Sequence, residues 1–248
     1  MSHFPPLRAV PQSFPVRNCL LAALTSHDLA RLRPHLELVA LVMGEAPTKP
    51  GRPITHVLFP EAGIVSVLAA SADKRQRVEV GLIGRDGIVG LPVVLGADVD
   101  AHETLVQAEG QAWRLPSGEL RRAMAECPAL HGVLLRYIQP FMTQTAHTAL
   151  ANACHRLNER VARWLLMYHD RLDGDELPLT QTFLSRMLGA NRPGVTLAVH
   201  ALEDAGLVSH ARGRFTVLDR VRLEAAAGSS YGAPEAEYAR LFGPNPPG

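Results

Sequence analysis

The sequence has 248 residues, 47% hydrophobic and 20% charged, with 25 Lys and Arg set against 24 Asp and Glu. This is enough apolar material for two domains with separate cores and excludes general disorder, while a formal charge of +1 leaves any affinity for nucleic acid to a local cluster of arginines. Three scattered cysteines, Cys19, Cys127 and Cys154, supply neither a disulfide framework nor a Cys-x-x-Cys metal site, so a reducing cytoplasm is expected.

The leader MSHFPPLRAVPQSFP has no basic segment followed by an apolar run, and no stretch of about 18 apolar residues offers a membrane span. Leu20, Leu21, Leu24, Leu29, Leu32 and Leu36 then predict short helices over 19–38, with Thr25 or Ser26 as a cap. Over 39–115 the pattern changes to short Val- and Ile-rich runs. They are separated by Lys49-Pro50-Gly51, Pro60-Glu61-Ala62-Gly63, Gly84-Arg85-Asp86-Gly87 and Glu109-Gly110, which suggests a β-roll or jelly roll. Lys74, Arg75 and Arg77 fall at a hairpin tip, read as a solvated turn or as a contact for RNA polymerase or an anionic effector.

From Pro128 the spacing becomes helical. Leu130, Leu134, Tyr137, Phe141, Gln144, Thr148 and Ala151 lie on one seam with alternating steps of four and three. Its two polar members favour a homodimer coiled coil, with a buried core helix as the alternative. Pro140 removes a helical hydrogen bond, so a bend near Arg136 is predicted. The domains expected are a sensor over 1–127, a dimerisation helix over 128–157, a DNA-binding domain over 158–224 and a flexible tail over 225–248.

Residues 179–207 read as two short helices and a tight turn. Thr180 caps the first, and Phe183, Leu184, Met187 and Leu188 form its buried face before Gly189 ends it. Asn191 caps the second and Pro193 suits its first turn. Val195, Ala198, Val199 and Leu202 face inward, and Arg192, Pro193, Thr196, Leu197 and His200 face out. In a helix-turn-helix this first turn enters the major groove, where Arg can bind guanine bidentately. A hairpin tip follows at Arg212-Gly213-Arg214, placed to touch phosphate as a wing. Six arginines against three acidic residues between Leu179 and Arg222 supply the local charge. Thr180, Gln181, Asn191, Arg192, Pro193, Gly194, Thr196, Leu197, His200, Arg212 and Arg214 are therefore the candidate DNA contacts.

These parts, and the segments PGRPITHVLFPEAGIVSV, VEVGLIGRDGIVGLPVVLG, NERVARWLLMYHDR and LTQTFLSRMLGANRPGVT, resemble the cyclic-AMP receptor/fumarate-nitrate regulator (Crp/Fnr) family of bacterial transcription factors. The resemblance implies an α+β chain with a cyclic-nucleotide-binding-like β-roll, a long dimerisation helix and a C-terminal winged helix-turn-helix. It also implies a guanine contact for Arg192, a phosphate contact for Thr180 and the wing turn for Gly213. Pro193 and Leu197 depart from the cyclic-AMP receptor's pattern, so a different operator is expected, with Leu197 placed to pack on a thymine methyl.

On the sensor side the family's phosphate cassette falls near Gly84 and Arg85, and its base-contacting long-helix position near Thr145. The stretch His102-Glu103-Thr104-Leu105 lacks the arginine that would neutralise a cyclic phosphate, so tight cyclic-AMP binding is not expected. One cysteine near the N-terminus cannot hold an iron–sulfur cluster, and no cofactor is expected. The expected partners are double-stranded DNA, a second copy of the chain and RNA polymerase, with an effector of unknown identity. Two other functions compete with this one. A cupin-like metalloprotein or enzyme would need His-x-His on neighbouring strands, which is absent, and a regulator without any effector remains an alternative.

Overall fold

The computed structural model describes residues 16–73 and 76–243. The leader and two members of the basic run, Lys74 and Arg75, lie outside them. The chain divides into two compact units, Met1–Val65 with Ile83–Leu135, and Ser66–Leu82 with Arg136–Gly248.

The first unit opens with α1 (Cys19–Ala22) and α2 (Ser26–Leu32). Asn18 caps α1 by accepting from the backbone N–H of Leu20 and Leu21, and Thr25 caps α2 through Asp28. Strand β1 (Glu37–Leu41) pairs antiparallel with β4 (Glu103–Pro116), Leu38 opposite Trp113. Strand β2 (His56–Ala70) flanks β4 on the other side and runs on into the second unit, where β3 (Arg77–Ile83) forms the sheet edge. The short α3 (Leu91–Val94) and α4 (Ser117–Glu126) complete the unit around a core that includes Leu20, Leu21, Phe59, Ile64, Leu115 and Leu120.

Two of the expected strand breaks are absent, because β2 passes through Pro60 to Gly63 and β4 through Gly110. Glycine here permits a close approach. A Cβ on Gly110 would stand 2.1 Å from the Ala62 carbonyl oxygen, and Gly63 (φ +88°) would put one 2.6 Å from that of Ala108.

The helix α5 (Pro128–Cys154) starts where Pro128 suggests and continues through Pro140. Its sequence seam faces the chain's own elements over much of its length. Leu130, Leu134, Tyr137, Gln144 and Ala151 are buried within the single chain. Phe141 lies against Gly81, where a Cβ would come within 2.7 Å of the ring. The Gln144 side chain accepts from the Leu82 N–H at 2.5 Å and donates to the Leu82 carbonyl at 3.3 Å. Thr148 accepts a hydrogen bond from Arg163 at 3.1 Å. The polar seam residues Gln144 and Thr148 are thus bonded to the chain's own hairpin and to the helix after it. The large apolar residues that α5 leaves exposed are Leu135, Met142 and Leu150.

The remaining elements are α6 (Leu157–His169), β5 (Glu176–Leu177), α7 (Gln181–Met187), α8 (Arg192–Asp204), β6 (Val208–Ala211), β7 (Arg214–Val217), α9 (Arg220–Ala227) and α10 (Ala233–Phe242). Strands β5, β7 and β6 form a small antiparallel sheet in that order. The stretch 225–243, expected to be flexible, is helical and anchored. The Tyr231 hydroxyl donates to Asp170 at 2.9 Å, Tyr238 is buried, and Arg136 of α5 lies 5.8 Å from the centre of the Phe242 ring.

Candidate nucleic-acid interface

Thr180 ends an extended stretch and accepts from the Phe183 N–H at 3.1 Å, which starts α7. Gly189, at φ +59°, lets the chain leave α7 in the left-handed conformation. Asn191 then accepts from the Gly194 N–H at 2.8 Å, with Pro193 in the first turn of α8. Each cap was readable because capping involves residues only three apart. The apolar stripe Val195, Ala198, Val199 and Leu202 is buried as its spacing predicts. It joins Leu184, Met187, Trp164, Leu165, Phe215 and Val217 in the core of this region.

The outward face of α8 carries Arg192, Pro193, Leu197 and His200, all exposed, with Leu197 at 70%. An apolar side chain held this far into solvent on a capped, well-packed helix costs solvation unless something covers it. A thymine methyl in the major groove would do so. Arg192 and Arg186 belong to no ion pair among the described residues, and both stand exposed. Arg192 is the first residue of α8, at the positive end of its dipole, so both favour an anion.

Gly194 has a packing role that the sequence did not reveal. A Cβ there would lie 3.0 Å from the Asn191 side-chain oxygen and 3.1 Å from Leu157, crowding the cap and the packing of α6 together.

Strands β6 and β7 are joined by Arg212 and Gly213, at φ +51° and +77°. Both central residues of a two-residue hairpin turn are therefore left-handed, the geometry that matches strand twist. For Arg212 that conformation is uncommon, and it places an exposed, unpaired guanidinium at the wing tip. Gly213 lies beside Thr180, with a Cβ position 3.4 Å from the threonine methyl. The cap of α7 and the wing tip thus form one surface.

Not every arginine counted in the sequence is free. Arg214 is ion-paired with Glu176, an exposed pair of the kind worth about 0–1 kcal/mol, readily exchanged for a phosphate. Arg220 is held by Asp170 at 2.6 Å, Glu224 at 2.9 Å and the Tyr231 hydroxyl at 2.8 Å, so it serves the fold. Arg222 donates to the Ala205 carbonyl at 3.0 Å. The available charge is Arg186, Arg192 and Arg212.

Gln181 and Thr196, both expected to meet DNA, are bonded to each other at 2.9 Å, and Gln181 also reaches His210 Nδ1 at 3.3 Å.

The Crp-like helix-turn-helix family matches residues 159–226. This part of the chain is a Crp-like helix-turn-helix domain. The fold as a whole is similar to that of Crp/Fnr transcription regulators. FixK2 from Bradyrhizobium japonicum superposes with a TM-score of 0.67 at 16% identity, covering 77% of this chain and 96% of that one. A CRP-family transcriptional regulator from Thermus thermophilus gives 0.65 at 20% identity, over 78% and 98%. The c-di-GMP responsive global regulator CLP from Xanthomonas campestris gives 0.63 at 16%, over 78% and 99%. No curated protein matches the sequence. The matched domain begins one residue after the expected start of the DNA-binding region and extends two residues past its expected end.

In the first unit, the loop taken as a phosphate cassette is occupied by its own chain. The Gly84 N–H donates to Asp86 at 2.8 Å and the Arg85 carbonyl accepts from the Cys19 N–H at 2.8 Å. Asn18 Nδ2 donates to the Gly87 carbonyl at 2.8 Å, and Arg85 and Asp86 are buried. In the second unit the Thr145 hydroxyl donates to the Phe141 carbonyl of its own helix at 3.1 Å. No described helix is long and apolar enough to cross a membrane.

Proposed function

We propose that this Crp/Fnr-type chain is a sequence-specific DNA-binding regulator that acts as a homodimer on a palindromic operator, without a cyclic nucleotide in the 84–87 loop. The observation that carries the reading is the surface shared by the cap of α7 and the Arg212 wing tip, with the start of α7 bonded to α8 through Gln181 and Thr196. Arg192 is the base reader, with Leu197 and His200 further along the groove, while Arg212 and Thr180 meet phosphate. The closed loop around Gly84 and Arg85 supports an effector of another kind or none.

The test is selection of bound sequences from a random DNA pool, followed by titration of variants on the recovered site. Arg192→Ala should cost about 1–3 kcal/mol and relax preference at one base pair, whereas Arg212→Ala should weaken all DNA alike and reduce the salt slope by about one. Equal effects of both variants on every sequence would remove Arg192 from its role.

The dimer contact in this reading uses the face of α5 opposite the buried seam, where Met142, Ala146, Ala149, Leu150 and Ala153 are exposed. Small residues there let two helices approach closely, and Met142 and Leu150 supply the apolar area. Met142→Glu should convert the dimer to monomer at micromolar concentration in analytical ultracentrifugation. It should also weaken a full palindrome far more than a half-site. An unchanged dimer would place the contact elsewhere.

A further inference from the structure

The Gln181–Thr196–His210 cluster joins three parts of the winged domain at one point. Gln181 is the first residue of α7, Thr196 sits in the second turn of α8, and His210 lies in β6 of the wing. The Thr196 hydroxyl donates to Gln181 Oε1, so the amide Nε2 faces His210 Nδ1 as a donor. The His210 ring packs on the buried Phe215 ring, with centres 4.4 Å apart. Its Nε2 is buried with no hydrogen-bond partner, so the bond to Gln181 is the ring's polar attachment. The His210 backbone N–H meanwhile donates to Glu203 at 2.8 Å, near the other end of α8. The wing is thereby tied to the recognition helix near both of its ends.

We propose that Gln181 is a positioning residue which, through Thr196 and His210, holds the recognition helix and the wing in register, and that neither Gln181 nor Thr196 is a DNA contact. This rests on the DNA-binding reading above and narrows it. With both side chains committed to each other, base selection falls to Arg192, Leu197 and His200. A half-buried side chain whose amide is engaged through both its oxygen and its nitrogen has little freedom to reach a phosphate, and a hydroxyl whose proton is already donated can offer a base only its lone pairs.

The experiment is a double-mutant cycle of Gln181→Ala and Thr196→Val in the full-length protein, using the palindrome recovered from the random pool. Thr196→Val keeps the shape of the side chain and removes the hydroxyl, so it addresses the hydrogen bond even if Gln181→Ala is poorly folded. Each single change is expected to weaken binding about fivefold, the double change no more than the worse single one, with the salt slope and base preferences unaltered. Additive losses, a slope reduced by about one in Gln181→Ala, or relaxed preference at a single base pair would overturn the proposal. The same cycle read as urea midpoints requires no DNA, and additive midpoints would also overturn it. If the wild-type protein selects no DNA sequence, the DNA-binding reading fails, while the midpoints still decide whether the brace exists.

Discussion

Raising the pH from 5 to 8 should destabilise the wild-type protein by about 2.5 kcal/mol more than a Glu79→Gln variant, as read from urea unfolding midpoints at each pH. Glu79 is buried on β3, and burial pushes its carboxyl up from 4.5 to about 7. Hydrogen bonds from Ser66 at 2.5 Å and Trp164 Nε1 at 2.8 Å, and the charges of Arg163 and Arg171, oppose that shift without cancelling it. Below the unfolded value both states hold the proton and the carboxyl costs nothing. Between 4.5 and about 7 the unfolded chain gives up its proton and the folded chain keeps it, so folding loses stability as pH rises. Above about 7 both are ionised and the loss stops growing. Glutamine preserves the arrangement, because its oxygen can accept from Trp164 and its nitrogen can donate to Ser66. Glu235 is also raised by burial, but it is present in both proteins and drops out of the difference. Parallel pH curves for the two proteins would mean that Glu79 stays ionised throughout. The consequence for function is local. Glu79 joins the β2–β3 hairpin to α6, the first helix of the DNA-binding domain, so this joint is strongest when the carboxyl carries its proton.

Which features could be read from the sequence follows from the range of the interactions behind them. The helix-turn-helix was legible because Thr180, Gly189 and Asn191 act on groups within four residues, and because the stripe of α8 needs only periodicity. The wing was legible from Arg212 and Gly213 for the same reason, although the sequence did not show that Arg212 itself takes the left-handed conformation. The brace through Gln181 links positions 15 and 29 residues apart and leaves no local trace. The anchored C-terminal stretch escaped notice because its attachments, Tyr231 to Asp170 and Phe242 to Arg136, are single aromatic residues in a Gly-, Ala- and Pro-rich background. The strands β2 and β4 were cut at glycines that in fact let two backbones approach. On α5, two faces carry residues at steps of three and four. The sequence identified the more apolar one and could not say whether it meets another molecule or its own chain.

Gln144 decides that last point by the sign of a stability change. A polar residue in a dimer seam usually lowers stability while fixing register, so Gln144→Leu would make a coiled coil tighter and the protein more stable. The structure gives the opposite expectation. Strand β3 is an edge, and its Leu82 N–H and C=O, fully buried, have the Gln144 amide where a further strand would otherwise lie. Leucine at 144 keeps the volume but leaves a buried donor and a buried acceptor unpaired, at about 1–3 kcal/mol each. The variant should therefore be destabilised by about 2–6 kcal/mol in urea unfolding, with a dimer dissociation constant, measured where it is still folded, close to that of the wild type. A more stable, more tightly dimeric Gln144→Leu protein would return Gln144 to the interface between two copies. It would also remove the grounds for placing that interface on the Met142 face.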